Sequence, residues 1–345
     1  MRGFVTLRLR RPPVSVQVGK RAVAVVALLA AATAAVAVAS LGAGSLALSP
    51  MDVVRALWGY GAEPHVFVVQ TLRLPRILVG LMVGAALGLS GAILQGLFRN
   101  PLASPDILGV TGGAAVAAVA FLVYGQGLRI LWLPAFAFAG AMAIALFLYL
   151  IAWKAGVSTF RLVLVGIGLK AATAALTTLL VVKSPIYLTQ KAMVWLTGSI
   201  YGTAWIDVGL LAPWLAVLTF LVAVSARHVN ALQLGDEVAA GVGAAVSRQR
   251  LFLLMLCAAL CGAAVAVGGA IGFVALLAPH IARQLVGPSF GPLAAASALI
   301  GSLIVVAADT VARTAFAPLD IPVGVFTAAV GAPFFLYLLV RHRNR

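Results

Sequence analysis

The chain has 345 residues, of which 63% are hydrophobic and only 9% charged. Soluble domains carry about 25% charged residues, so this composition excludes a water-soluble globular protein. The formal net charge of +16, from 24 Lys+Arg against 8 Asp+Glu, would suit a nucleic-acid binder or the cytoplasmic loops of a membrane protein. No basic stripe with interleaved aromatics occurs, which removes the nucleic-acid reading.

Segment 1–21 carries Arg2, Arg8, Arg10, Arg11, Lys20 and Arg21 and is expected on the cytoplasmic side. The apolar run 22–48 follows. Ala37-Val38-Ala39 could mark signal cleavage, but the run is longer than a signal-peptide core and more apolar runs follow, so an uncleaved first helix is expected. Further spans are expected at 74–97, 107–124, 131–152, 160–182, 206–226, 250–269, 271–286, 292–312 and 322–340. Apolar runs near 20 residues cross a bilayer as helices, which satisfy their own backbone groups in lipid. The short alternating strands of a membrane barrel are absent. The expectation is an all-α membrane protein of about ten transmembrane helices: one transmembrane domain over 22–340, with a short cytoplasmic tail at 341–345. The larger share of basic residues falls on the side of the two termini, which places both in the cytoplasm by the positive-inside rule.

An internal repeat is visible. Segment 84–93, Gly-Ala-Ala-Leu-Gly-Leu-Ser-Gly-Ala-Ile, aligns with 262–271, Gly-Ala-Ala-Val-Ala-Val-Gly-Gly-Ala-Ile, at an offset of 178. The same offset pairs Pro101 with Pro279 and Gly109 with Gly287. The two copies would lie on oppositely running helices, giving an inverted repeat of the kind common in transporters, with halves at 74–182 and 250–340. Pro101 and Pro279 are expected to break helices at equivalent places.

Chemistry is sparse. No Gly-x-x-x-x-Gly-Lys-Ser/Thr phosphate loop occurs; Gly19-Lys20 is followed by Arg21, so ATP would have to be bound by a partner. The acids are Asp52, Glu63, Asp106, Asp207, Asp236, Glu237, Asp309 and Asp320, and only Asp309 falls inside an expected span. An ion-coupled carrier, the alternative transporter class, usually buries more carboxylates. The histidines His65, His228, His280 and His342 are scattered, and no catalytic constellation appears. Cys257 and Cys261 share a helix face and are read as small apolar contacts, since no third metal ligand is near.

The longest polar cytoplasmic segment is 227–250. Within it, 234–246 reads Leu-Gly-Asp-Glu-Val-Ala-Ala-Gly-Val-Gly-Ala-Ala-Val. Asp236 and Glu237 suit the start of a short helix, and Gly241 and Gly243 would break it before a second short helix. An ordinary solvated loop fits the same residues.

Several motifs, in order along the chain, carry a resemblance. They are Arg73-Leu74-Pro75-Arg76, the 84–93 segment, Arg99-Asn100-Pro101-Leu102-Ala103 with Pro105 and Leu108-Gly109, and Leu234-Gly235-Asp236-Glu237. Further along come Gly272 through Arg283, Ala308-Asp309-Thr310-Val311-Ala312-Arg313, Pro322-Val323-Gly324-Val325 and Gly331-Ala332-Pro333. Together they resemble the FecCD/BtuC-like permease subunits of type II ABC importers, which take up iron–siderophores, haem and cobalamin.

The resemblance implies a dimer of ten-helix subunits, a partner ATPase dimer that holds ATP and Mg, and a periplasmic binding protein. It implies an ATPase-coupling role for Gly235, Asp236, Glu237, Ala240 and Gly243. It also implies that Arg73, Arg76 and Arg313 face outward to pair with binding-protein glutamates, a role that suits the guanidinium fork; snorkelling to the interface is the other reading. His280 and Arg283 are expected to pack near a helix end. No cofactor and no catalysis are expected in this chain. Segment 195–205 is closer to siderophore permeases than to those for haem or cobalamin, the alternative cargoes. Lys170, about 13 Å into its helix from Arg161 by the 1.5 Å rise, departs from the family pattern. It is read either as a pathway residue that attracts an anionic iron chelate or as an interface pair.

Overall fold

A computed structural model describes the whole chain except residues 1–3, 10–13, 45, 126, 153–158, 317–318 and 344–345. The membrane part is helical throughout. The N-terminal segment, expected only as a basic tail, instead holds an antiparallel hairpin of β1 (Phe4–Leu9) and β2 (Val14–Gly19) in which Phe4 pairs with Gly19 and Leu9 with Val14. Alternating Val and Leu in 4–18 favour extended chain, a period-two signal that the basic residues mask.

Among the described residues, ten helices overlap the apolar runs expected as spans. They are α1 (Lys20–Gly42), then α4 (Leu74–Phe98), α5 (Val110–Tyr124), α6 (Leu133–Ala152) and α7 (Thr159–Val182). After them come α9 (Trp205–Gln233), α11 (Val246–Gly268), α12 (Val274–Val286), α13 (Phe290–Ala315) and α14 (Val323–Arg343). Seven helical stretches are long and apolar enough to cross a membrane; α5, α12 and the described apolar part of α14 are shorter. With 15 and 13 residues, α5 and α12 reach only about 22 Å and 20 Å at 1.5 Å per residue, less than the hydrocarbon thickness of about 30 Å. Among the described residues, three short helices were not expected as elements: α2 (Pro50–Leu57), α3 (Glu63–Phe67) and α8 (Ile186–Leu196); a fourth, α10 (Asp236–Gly241), is the short helix that was one of two readings of its segment. A π-helical turn, Val68–Arg73, joins α3 to α4. Ser49 caps α2, its hydroxyl accepting from the Asp52 amide at 3.2 Å, with Pro50 at the first position, the usual start signal for a helix.

Helix α4 lies at the centre, packed against α9, α11, α12 and α13. A Cβ built at Gly84 would overlap the Gly301 backbone, one at Gly88 the Ser297 carbonyl, and one at Gly91 the Ala275 backbone. The small-residue segment 84–93 thus lets α4 approach α13 and the start of α12 backbone to backbone, as small residues do between helices in lipid. The Ser302 hydroxyl donates to the Leu81 carbonyl at 2.6 Å, and Gln95 Nε2 to the Leu276 carbonyl at 3.1 Å. Cys257 and Cys261 are free and buried, with Cys257 Sγ 3.3 Å from the Ser90 carbonyl, in keeping with a packing role.

The offset of 178 does not relate equivalent positions. Gly109 (φ +77°) leads into α5, whereas Gly287 (φ +83°) ends α12. Pro101 lies in the turn after α4, but Pro279 lies inside α12 and does not break it. The packing itself follows a different correspondence. α4 packs on α12 and α13, and α11 packs on α5 and α6; α5 packs on α6 and α7, and α12 on α13 and α14.

Candidate functional site

Three places concentrate polar chemistry in this apolar molecule. The first is the turn between α9 and α11. Gly235 stands at φ +113° and Gly243 at φ +86°, conformations that glycine adopts without a Cβ penalty. Between them lies α10. The chain restarts at Val246 as the long helix α11, not as the second short helix expected. The Asp236 carboxylate accepts two hydrogen bonds from Arg250 Nη2, at 2.7 and 2.9 Å. Arg250 is buried, so this pair fastens α10 to the first turns of α11. Ala239 is buried beneath it, while Glu237, Ala240 and Gly243 are exposed. Leu234, Val238 and Val242, spaced by four, are also exposed, at 67%, 50% and 71%. They form an apolar knob that the sequence reading missed, although their spacing in a polar loop was the available signal.

The second place is at the opposite end of α4. The side chains of Arg73, Arg76 and Arg313, expected to meet a binding protein at the outer face, bond to groups of their own chain. Arg73 is buried and donates to the Leu41 and Leu46 carbonyls at 2.7 and 2.6 Å. Arg313 donates to the Ser40 and Ala43 carbonyls and to Ser40 Oγ. These carbonyls belong to the last turn of α1 and the residues after it, where helices leave acceptors unsatisfied and favour positive charge. Arg76 grips Asp309 through Nε and Nη2 at 2.8–3.1 Å and reaches Asp320 at 3.1 Å. Its guanidinium lies 5.4 Å from the centre of the Tyr201 ring. Arg313 Nε is 3.5 Å from Asp309. Asp309, the one acid expected inside a span, is therefore shared by two arginines from α4 and α13. The cluster ties α1, α4, α13 and the Asp320 turn together.

The third place is a cavity of about 370 Å³. It lies where the turn before α5, α7, the turn before α12 and α14 converge. Ser104, Asp106, Thr111, Lys170, Gly272 and Phe273 line it, with Phe335 from α14. A Cβ at Gly109 would press on the Lys170 amide nitrogen, and one at Gly166 on Leu108. Those glycines bring α7 close to the 104–109 turn and so set Lys170 opposite Asp106. The polar groups around the Asp106 carboxyl are the Thr111 hydroxyl, the Lys170 ammonium and the Phe273 backbone amide. Phe273 stands at φ +67°, one of two non-glycine residues at positive φ among the described residues. The sequence places Asp106 just outside an expected span; only the fold brings it to Lys170.

His280 and Arg283 lie on α12, where His280 is buried, meets Gln284 at 3.0 Å and packs edge-on against Phe334. The described residues contain no cluster of three or more His, Cys, Asp or Glu able to hold a metal.

The chain is similar to known proteins along most of its length. The chain is 50% identical over 331 residues to a probable siderophore transport system permease protein, YfhA, of Bacillus subtilis, covering 94% of this chain and 96% of that one. It is also 50% identical to the achromobactin transport system permease protein CbrC of Dickeya dadantii, covering 90% and 89%. The cobalamin import system permease protein BtuC of Halobacterium salinarum is 46% identical, over 79% of this chain and 73% of that one. A solved structure described as an inward-facing conformation of a metal-chelate type ABC transporter superposes with a TM-score of 0.82 at 30% identity, covering 92% and 98%. The model of the FecCD transport family matches residues 28–341, and the chain belongs to that family as a multi-pass membrane permease.

Proposed function

We propose that this chain is the membrane-spanning subunit of an ATP-driven type II importer that carries a ferric siderophore from a periplasmic binding protein into the cytoplasm. It sits in the inner membrane as ten crossings with both termini cytoplasmic. α4–α7 and α11–α14 form an inverted repeat, a reading supported by the exchange-symmetric packing of the two sets. Two copies, or one copy with a related permease, enclose the path.

The observation that carries the reading is α10. It is an exposed apolar knob fixed rigidly to a long spanning helix by the Asp236–Arg250 pair. Such a knob fits a groove on a partner, and the rigid link would pass the partner's motion into α11. ATP and Mg belong to that partner, and this chain performs no covalent chemistry. Gly235 and Gly243 form the turns that present Glu237 and Ala240. At the outer face the binding protein's carboxylates would dock on the cluster of Arg73, Arg76 and Arg313. Arg76 would be the entry, with 13% of its side chain open, and an incoming carboxylate would replace the more exposed Asp320 on it.

Siderophore is the favoured cargo because a relative matched at 50% identity over most of the chain is named a probable siderophore transport permease. Cobalamin is the second reading, carried by the relative at 46%. The test is reconstitution in proteoliposomes with the cognate ATPase and binding protein, comparing uptake of ferric siderophore, haem and cobalamin. ATP-dependent uptake of the ferric siderophore is expected. Uptake that persists with a hydrolysis-dead ATPase overturns the importer reading, and preference for cobalamin or haem overturns the cargo alone.

A further inference from the structure

Lys170 and Asp106 lie on one cavity wall system, and among the described residues no direct ion pair joins them or ties either to another side chain. Intramembrane charges are costly and are kept where they do work or neutralise each other. An ammonium that faces a cavity of about 370 Å³, instead of closing on the carboxylate across it, leaves room for a third group between them.

The surroundings favour a negative one. Thr111 belongs to the first turn of α5, and Phe273 is the residue that opens α12. Both helices therefore begin at the cavity, and helix starts carry partial positive charge. One full positive charge and two helix starts stand against one carboxylate. The backbone around the cavity is also held in place. Gly109 and Gly166 seat α7 against the 104–109 turn, and Phe273 is wedged at positive φ with its side chain against Gly331 of α14. A pre-set arrangement of this kind binds without the cost of ordering it.

We propose that the cavity is a transit site for a carboxylate-bearing, anionic iron chelate. Lys170 binds the cargo carboxylate, and Asp106, across the cavity and not paired directly with Lys170, competes with the cargo for its charge. This rests on the importer reading and narrows its cargo to anionic carboxylate chelates over neutral ones. Asp106 stays in the cavity, so the cargo carboxylate adds one negative charge that Lys170 and the two helix starts offset, and the cargo is held but not trapped.

The competition makes the two residues act with opposite sign. Asp106 competes with the cargo, so its removal strengthens binding, whereas loss of Lys170 weakens it. A purely structural pair would make both losses harmful. The experiment uses the complete transporter with its ATPase in nanodiscs, without nucleotide. Equilibrium binding is measured for ferric citrate, an anionic carboxylate chelate, and for a neutral ferric trihydroxamate.

Lys170→Gln should weaken ferric citrate binding by about tenfold or more, as expected when a hydrogen bond between charged groups is lost. Lys170→Arg should retain it, and Asp106→Asn should tighten it. None of the three should move trihydroxamate binding. Absence of ferric citrate binding in the wild type, unchanged binding in Lys170→Gln, or weaker binding in Asp106→Asn overturns the proposal. If Lys170→Gln fails to fold, the sign of the Asp106→Asn effect decides alone. ATP-dependent uptake by the wild type is scored separately, so failure of the importer reading is not confused with failure of this site.

Discussion

Helices α4 and α7 look alike in sequence and behave differently in the fold. They have 25 and 24 residues, and their most apolar windows have mean hydropathies of 2.3 and 1.8. Yet 78% of the α4 window is buried within the chain and only 22% of the α7 window. On α4, Gly84, Gly88 and Gly91 meet the backbone of α13 or α12. On α7, a Cβ at Gly168 would meet nothing within 4 Å, and Leu164, Ile167, Leu176 and Leu179 are exposed. In lipid, apolarity does not by itself drive helices together, and close packing of small residues does. The spacing of glycines therefore separates a helix committed to its own chain from one that leaves a face for something outside it.

The strongest way to break this comparison is Gly88→Val. The added side chain has no space against the Ser297 carbonyl, and neither backbone can retreat without separating α4 from α13. Overpacking and forced backbone shifts at such a site belong to the severe class of substitutions, about 4 kcal/mol or more. The expected result is loss of monodisperse protein in size-exclusion chromatography after detergent extraction. A variant that elutes and melts like the wild type would mean that α4 is not held by backbone contact.

Next in size is Asp309→Ala, at the outer end of the same α4–α13 seam. The Asp309 side chain is 2% exposed and that of Arg76 13%. Removing one partner of a buried ion pair costs about 3–5 kcal/mol, because the other charge stays behind unpaired. Here two arginines lose their shared carboxylate, and Asp320 compensates Arg76 only in part. A lowered melting temperature in detergent is expected, with smaller loss in Asp309→Asn, which keeps a hydrogen-bond acceptor. Equal stability of Asp309→Ala and wild type would return the cluster to a role purely in docking.

Legibility in the sequence follows the same physics. The ten long or short apolar helices were readable because each apolar run must be satisfied inside lipid. The hairpin at 4–19 and helices α2, α3 and α8 were not, since short polar-flanked elements carry little periodic signal. The sequence singles out Arg73, Arg76 and Arg313 but not the groups they bond. Those are carbonyls at 40–46 and, for Arg76, Asp309, between 27 and 273 residues away in sequence. Asp106 was invisible as a site for the same reason: its neighbours Lys170 and Phe273 come from α7 and the start of α12. Gly235, Asp236 and Glu237 were readable as a helix start, since capping is local; the Arg250 bond that fixes them was not.

The smallest effect, and the finest test of the contrast, is Gly168→Ala. Within the chain nothing opposes a methyl group there. Alanine favours helix over glycine by about 1 kcal/mol in a helix interior, so the isolated subunit should melt at the same temperature or slightly higher. The opposite sign from Gly88→Val, for substitutions of the same residue type in two similar helices, isolates packing from hydropathy. Gly168→Leu extends the test to the outside. Bulk on a free face leaves the subunit folded, but a face that meets a second permease copy would lose that assembly. Crosslinking of the dimer then reports the loss while the melting temperature of the subunit stays unchanged. Destabilisation of the isolated subunit by Gly168→Ala would instead mean that α7 is covered by its own chain, and the distinction between the two helices would fall.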